Sequence, residues 1–451
     1  MRRLRATVGA LGAGLLLVAL PAPGALATSV GTDDGLWYFT ATGMAERHET
    51  TTGKGIQVAV IDTAINPDVP ELQGASVHVR EPSYCAAEVM GAPMPASTDS
   101  PVAAHGTSMV SLIVGTGTGI DGERGVLGIA PDADVHFYAN MTLPDDADVR
   151  CPAPDTDAAF WQFGQAIDQA VLDGADIISI SLATSSGVDA AAIARALHAG
   201  VVVVAAQPSD STGSYPAAFN GVVSVDSIGP DGQLWEGAFG GKVVAPGEQI
   251  RQFTESFDGY RLTNGSSSAT AYTAAALALV WSAYPDATAN QILQTLVRNT
   301  DGEDHELYWD DDYGYGVVNV RHMLEHDPTT YPDENPLLVD DPEAVPSVAE
   351  VTKPTPLPSG TTSPSASPPA APSGPDDEPT AVTADLDESA ADSGSRPIAP
   401  LLVGAAMLVA ALVVVVGLAV RRAREGTGPS EQSRTTPPTH RPGHSPDQGG
   451  H

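Results

Sequence analysis

The sequence predicts a layered α/β fold with a mostly parallel central sheet, followed by an extended stalk and one membrane-length helix. Three observations carry this reading. Short apolar, β-rich runs alternate with segments of helical period from about residue 56 to 297. Polar residues with catalytic chemistry sit at the ends of those elements, and one directly follows an apolar run, where open α/β sheets gather their reactive groups. Beyond residue 332 the composition turns to Pro, Ser, Thr and acidic residues, and then to an uncharged apolar stretch.

Residues 1–27 read as an export signal, with Arg2, Arg3 and Arg5 ahead of an apolar middle and Ala25-Leu26-Ala27 as a small-residue cleavage pattern. The folded domain is expected over 28–332, with Trp37-Tyr38-Phe39 as a short N-terminal extension packed on it. Residues 56–61, IQVAVI, form a strand that delivers Asp62 ahead of the turn-forming Asn66-Pro67. His105 precedes Met109, Val110, Leu112 and Ile113, whose spacing suits one face of a helix. Further strands are predicted at 134–138, 177–182, 201–206 and 222–227, and helices at 158–172, 189–199, 268–283 and 289–297. Pro285 closes the third of these helices, and Thr288 caps the fourth.

Residues 333–400 read as a linker, because blocks such as PTPLPSG and PSASPPAAPSG offer few apolar side chains to offset the entropy of ordering. Residues 401–420 form an uncharged run of 20 residues. As a helix, such a run spans about 30 Å, the hydrocarbon thickness of a bilayer. Arg421, Arg422 and Arg424 follow it, which places the tail over 421–451 in the cytoplasm and the domain outside. In that oxidising setting Cys85 and Cys151, the two cysteines of the chain, are expected to form a disulfide. Its chain-entropy contribution would be about 4 kcal/mol. The net charge of −35 disfavours nucleic acid and anionic membrane surfaces as partners. Neither a zinc-type Cys/His spacing nor a phosphate-cradling loop is present, and Asp301, Asp304 and Asp310 to Asp312 read as an acidic surface. No metal ligands are expected, and calcium has no specific motif to bind it.

Asp62, His105 and Ser267 supply an acid, a base and a nucleophile in chain order. A serine hydroxyl needs an imidazole to take its proton and a carboxylate to hold that ring in the right tautomer. At a helix start the ring is expected to stay neutral, because the helix dipole disfavours imidazolium. Each residue also has a plainer reading: turn capping for Asp62, a surface or capping role for His105, and N-capping by Ser266, Ser267 or Ser268.

These residues resemble those of the subtilisin-like serine peptidases. The resemblance rests on Val58 to Thr63, His105-Gly106-Thr107 and Asn264 to Ala269. Gly128-Ile129-Ala130-Pro131, the segment 175–182, Tyr215-Pro216-Ala217 and Ala245-Pro246-Gly247 extend it. It implies a subtilisin-like three-layer α/β fold with Asp62, His105 and Ser267 as the triad. A substrate strand would lie beside Ser181, Leu182 and Ala183, and a side-chain pocket near Ser181 and Ala205 would favour apolar or small residues. The overall plan also resembles the mycosins, membrane-anchored members associated with type VII secretion, which implies a membrane secretion complex as partner.

One departure bears on the chemistry. Where the family usually has Gly-Asn, with the asparagine amide donating to the oxyanion, this chain has Gln207-Pro208. Proline lacks that donor. Its loss was measured on a subtilisin at about 2.7–4 kcal/mol. Gln207 carries an amide one residue away and is the candidate replacement. Ala64 replaces a glycine, Ser266 a threonine, and Ala271 a proline. Two readings follow: an exported serine endopeptidase acting on protein or peptide, or a tethered scaffold of the same fold whose site is weak or silent.

Overall fold

Strand β1 (Gln57–Asp62) has no solvent face, since Val58 and Val60 join one apolar cluster while Ala59 and Ile61 join another. A strand buried on both sides requires a covering layer on each. The computed structural model, which describes residues 34–86, 92–140, 163–208 and 214–357, has that arrangement. The other strands are β2 (Val77–Arg80), β3 (Thr116–Thr118), β4 (Arg124–Leu127), β5 (Asp134–Ala139), β6 (Ile177–Ile180), β7 (Val202–Ala206), β8 (Val223–Ile228), β9 (Val243–Pro246), β10 (Ile250–Phe253) and β11 (Tyr260–Thr263). Seven form one sheet in the order β2-β5-β1-β6-β7-β8-β9, with every neighbouring pair parallel. The antiparallel pairs β3–β4 and β10–β11 stand apart from it.

The helices are α1 (Trp37–Thr40), α2 (Met44–Arg47), α3 (Ala103–Val114), α4 (Gly164–Leu172), α5 (Ala190–His198), α6 (Ser266–Ala283), α7 (Ala289–Arg298), α8 (Val320–Leu324) and α9 (Val348–Thr352). Helices α3, α6 and α7 contribute to the cluster that holds Val58 and Val60, whereas α4 and α5 contribute to the one that holds Ala59 and Ile61. Helix α6 lies against the sheet with nearly every residue buried. Its alanines bring the backbone close to the strands, and its two buried threonine hydroxyls at 270 and 273 bond within the helix. Thr270 donates to the Ser266 carbonyl at 2.8 Å and Thr273 to that of Ala269 at 2.8 Å. A reciprocal capping box of Thr288 and Gln291 starts α7, as the sequence predicts for Thr288.

The predicted strands match β1, β5, β6, β7 and β8 to within two residues at each end, and helices α4 to α7 occur where expected, the segment 158–162 lying outside the described residues. Strands β2, β3, β4, β9, β10 and β11 were not foreseen. They are only three or four residues long, and β2 and β11 carry polar residues on partly exposed faces. Residues of the expected N-terminal extension lie in the apolar core. Trp37 and Tyr38 are buried, and their polar tips donate at 2.8 Å to the carbonyls of Glu248 and Leu127.

The linker expected over 333–400 is corrected at its start, because the chain stays packed on the domain through the end of α9. Leu337 and Val351 are buried. The Asn220 side-chain amide donates to the carbonyls of Val339 at 2.9 Å and Pro346 at 3.0 Å. Isolated apolar residues and one buried amide suffice to order a segment whose composition reads as stalk. Among the described residues no helix is long and apolar enough to cross a membrane. The expected export signal, the run 401–420 and the tail over 421–451 lie outside the described residues.

Replacing Leu337 with alanine is expected to destabilise the folded domain by about 2–4 kcal/mol, the cost of emptying a buried leucine site. Denaturant unfolding reads this directly. A free linker would give no change.

Candidate active site

Strands β1, β6 and β7 are adjacent and parallel, so their C-terminal ends share one edge of the sheet. Asp62 closes β1, Ser181 follows β6 and Gln207 follows β7. Two helices then bring His105 and Ser267 to the same edge.

Asp62 is fully buried. Its Oδ1 accepts the Thr63 N–H at 2.7 Å and lies 2.7 Å from His105 Nδ1. A carboxylate only accepts, so Nδ1 carries the proton and Nε2 presents a lone pair. His105 is the third residue of α3 and its side chain is about a third exposed, at 34%. Burial is the largest single influence on the ring and lowers its pKa. The charge and hydrogen bond of Asp62 together outweigh burial and the nearby Arg261, and the pKa is raised above 6.5. The direction of the shift is opposite to the one a helix start alone would give, because a carboxylate in direct contact outweighs a helix terminus.

Gly106 lets α3 approach this closely. A Cβ there would sit 2.4 Å from the Ala64 carbonyl oxygen and 2.9 Å from the Phe137 ring. Ala64, in place of the family's glycine, is accommodated without positive φ.

Gly265, with φ 150° and ψ 159°, occupies backbone space essentially reserved for glycine and turns the chain into α6. From Ser266 to Trp281, Ser267 is the one residue that is not buried. Its hydroxyl donates to the Ser181 carbonyl at 3.1 Å, while the Ser181 hydroxyl donates to the Ser267 carbonyl at 2.9 Å. The Ser266 hydroxyl donates to the Gln207 carbonyl at 2.5 Å, and the Gln207 N–H donates to Val225 at 2.9 Å. Gln207 is thus pinned by its backbone beside Ser267 and half-buried. No hydrogen bond joins Ser267 to His105 among the described residues. Such bonds often close only when substrate is bound.

Ser181 and Leu182 are buried, Ala183 is half-buried, and Ala205 is fully buried in the apolar layer. The loop after β1 also borders a small cavity of about 80 Å³, lined by Thr63, Ala64, Cys85, Met94 and Val102 among others. Sequence reasoning missed both this cavity and the Ser181–Ser267 exchange. Each depends on loops that meet only in the fold. The expected partner of buried Cys85, Cys151, lies outside the described residues. No metal ligands were foreseen, yet the fold gathers two His/Asp groups, His78 with Asp134 and His136, and Asp304 with His322 and His326.

A parallel sheet carrying a buried Asp–His pair and a helix-start serine at one edge defines a hydrolase-type α/β architecture. The chain belongs to the subtilase family, whose model matches residues 53–316, more than half of its length. It is 30% identical over 284 residues to Subtilisin DY of Bacillus licheniformis, covering 60% of this chain and 90% of that protein. It is 32% identical over 255 residues to the Thermostable alkaline protease of Halalkalibacterium halodurans, covering 54% of this chain and 62% of that protein. The structure of MycP1 from Mycobacterium smegmatis shares the fold, with a TM-score of 0.51 at 22% identity over 69% of this chain and 89% of that one. MycP1 from the ESX-1 type VII secretion system gives a TM-score of 0.52 at 23% identity over 68% and 90%.

The raised pKa of His105 fixes two signs. The extra stability that the charged ring gains from Asp62 is fully present below about pH 6.5 and is lost as pH rises through the folded-state value, while the hydrogen bond of the neutral ring remains. In the wild type, the imidazole resonances of His105 should titrate above 6.5. In Asp62→Asn the midpoint should fall below 6.5, because burial then acts unopposed. An unchanged midpoint in that variant would remove Asp62 as the cause.

Proposed function

We propose that the protein is an exported, membrane-tethered serine endopeptidase in which Asp62, His105 and Ser267 form the triad. The observation that carries this reading is the 2.7 Å contact between buried Asp62 and His105 Nδ1, at the sheet edge that also holds the half-buried Ser267 of α6. His105 Nε2 takes the proton of Ser267 as its hydroxyl leaves the Ser181 carbonyl and attacks the peptide carbon. Asp62 keeps the ring oriented and stabilises the imidazolium that forms. The ring then returns its proton to the leaving amine, and water releases the acyl group by the same steps in reverse. The Ser267 N–H and the Gln207 side-chain amide serve as oxyanion donors. Substrate lies along Ser181, Leu182 and Ala183, and small or apolar side chains suit the apolar surroundings of that edge.

The signal over 1–27 and the apolar run over 401–420, with arginines after it, support a domain outside the membrane and a cytoplasmic tail. A disulfide between Cys85 and Cys151 fits that compartment. A place in a membrane secretion complex is the natural extension, given the fold shared with MycP1. The second reading, a scaffold with a silent site, is favoured by Pro208 in place of the oxyanion amide and by the Ser267 hydroxyl resting on Ser181.

One experiment separates the two. A membrane-impermeant fluorophosphonate applied to spheroplasts should label Ser267, follow the membrane fraction, and fail on Ser267→Ala and His105→Ala. Unreduced peptide maps of the labelled protein should contain Cys85 linked to Cys151. Gln207→Ala should lower peptide turnover by roughly 100-fold, the effect of one lost oxyanion donor. Folded protein with neither label nor turnover would establish the scaffold reading instead.

A further inference from the structure

Of the two His/Asp groups, only one lacks an internal explanation. In the first, the Arg80 guanidinium lies 3.2 Å from His136 Nδ1 and can only donate, so Nε2 of that ring carries the proton. It then faces Asp134 Oδ2 at 3.4 Å, and His78 Nε2 faces Asp134 Oδ1 at 3.0 Å. Donors meet acceptors throughout, and the arginine repels any further cation. This group is an ordinary polar network.

The second group is wired the opposite way. His322 Nδ1 lies 3.1 Å from the Thr300 carbonyl oxygen, and His326 Nδ1 lies 2.9 Å from the His322 carbonyl oxygen. A carbonyl only accepts, so both Nδ1 atoms are protonated and both Nε2 atoms of the neutral rings carry lone pairs. Those lone pairs converge on one carboxylate oxygen, with Asp304 Oδ1 at 2.8 Å from His322 Nε2 and 3.5 Å from His326 Nε2. Three acceptors facing one another are satisfied by a single proton on one ring, which leaves the second Nε2 unengaged, or by a cation between them. Two protons would place like charges on rings only 4.9 Å apart, one of them on a side chain that is 3% exposed. A single divalent ion satisfies all three at once.

We propose that Asp304, His322 and His326 bind a divalent transition-metal ion of zinc type. Two imidazole nitrogens and a carboxylate exclude calcium and magnesium as the preferred occupant, since those ions select all-oxygen shells. Zinc bonds of 2.0–2.2 Å place tetrahedral ligand atoms roughly 3.4 Å apart, close to the present spacing. Asp304 is exposed and can adjust, and water completes the shell. The backbone carbonyls on both Nδ1 atoms supply the outer hydrogen bonds that orient metal-binding histidines. His322 lies in α8, His326 follows two residues beyond that helix with its Nδ1 on the His322 carbonyl, and Asp304 belongs to the loop after α7. The ion therefore ties that loop to α8, away from Asp62 and His105 in the chain.

The test uses tag-free full-length protein in detergent, stripped with EDTA and titrated with zinc chloride by calorimetry. The wild type should bind zinc saturably and unfold at a higher temperature with it. Replacing zinc by cobalt(II) should give the visible absorption of a tetrahedral nitrogen and oxygen site. His326→Ala and Asp304→Asn should each weaken this binding by roughly 100-fold and abolish the cobalt spectrum, while far-ultraviolet circular dichroism stays unchanged. Binding of equal strength in both variants would place the metal elsewhere and overturn the assignment. So would the absence of saturable binding, or a stability change that follows pH through Asp304 without responding to zinc.

Discussion

Everything at the sheet edge depends on compensating one buried carboxylate. Asp62 has no exposure to solvent, and its Oδ2 has no hydrogen-bond partner among the described residues. Its stabilisation rests on the Thr63 N–H and on His105. Removing one partner from such a pair typically costs about 3–5 kcal/mol, because the remaining charge stays buried. The fold meets this demand by bringing α3 hard against the loop after β1, and Gly106 is the residue that permits it. The same contact that compensates the charge sets the tautomer of the imidazole. Stability and proton chemistry here are one interaction.

The serine side is built on different terms. Gly265 turns the chain, the alanines of α6 let it sit low on the sheet, and burial of its neighbours leaves Ser267 as the accessible hydroxyl. Two cross-loop exchanges, Ser181 with Ser267 and Ser266 with Gln207, lock the ends of β6 and β7 to the start of α6. The Ser181 and Ser266 hydroxyls hold backbone carbonyls, so the Ser267 hydroxyl can leave its own bond to Ser181 without loosening the frame. Gln207 occupies a fixed backbone position next to the site, and its amide has the freedom that Pro208 lacks.

The central sheet and the residues at its edge were legible in the sequence because their signals are local. An apolar run followed by a polar residue marks a strand end, and glycine followed by serines before an apolar helix marks Ser267. What escaped was set by contacts distant in sequence. The upward shift of the His105 pKa follows from Asp62, 43 residues away, and runs against the direction expected at a helix start. The segment 333–357 has the composition of a stalk and is held by Asn220, more than a hundred residues earlier. Asp304 looks like surface acidity until the fold sets it against His322 and His326. The short edge strands lack enough apolar length to declare themselves.

The most direct measurement of the central claim is a crystal structure with a peptide boronic acid, which forms a tetrahedral adduct on an activated serine. The account predicts boron bonded to Ser267 Oγ, now released from the Ser181 carbonyl. One boron oxygen should lie against the Ser267 N–H and the Gln207 amide, and the other within reach of His105 Nε2. An inhibitor bound elsewhere, with Ser267 still donating to Ser181 and His105 unengaged, would contradict it.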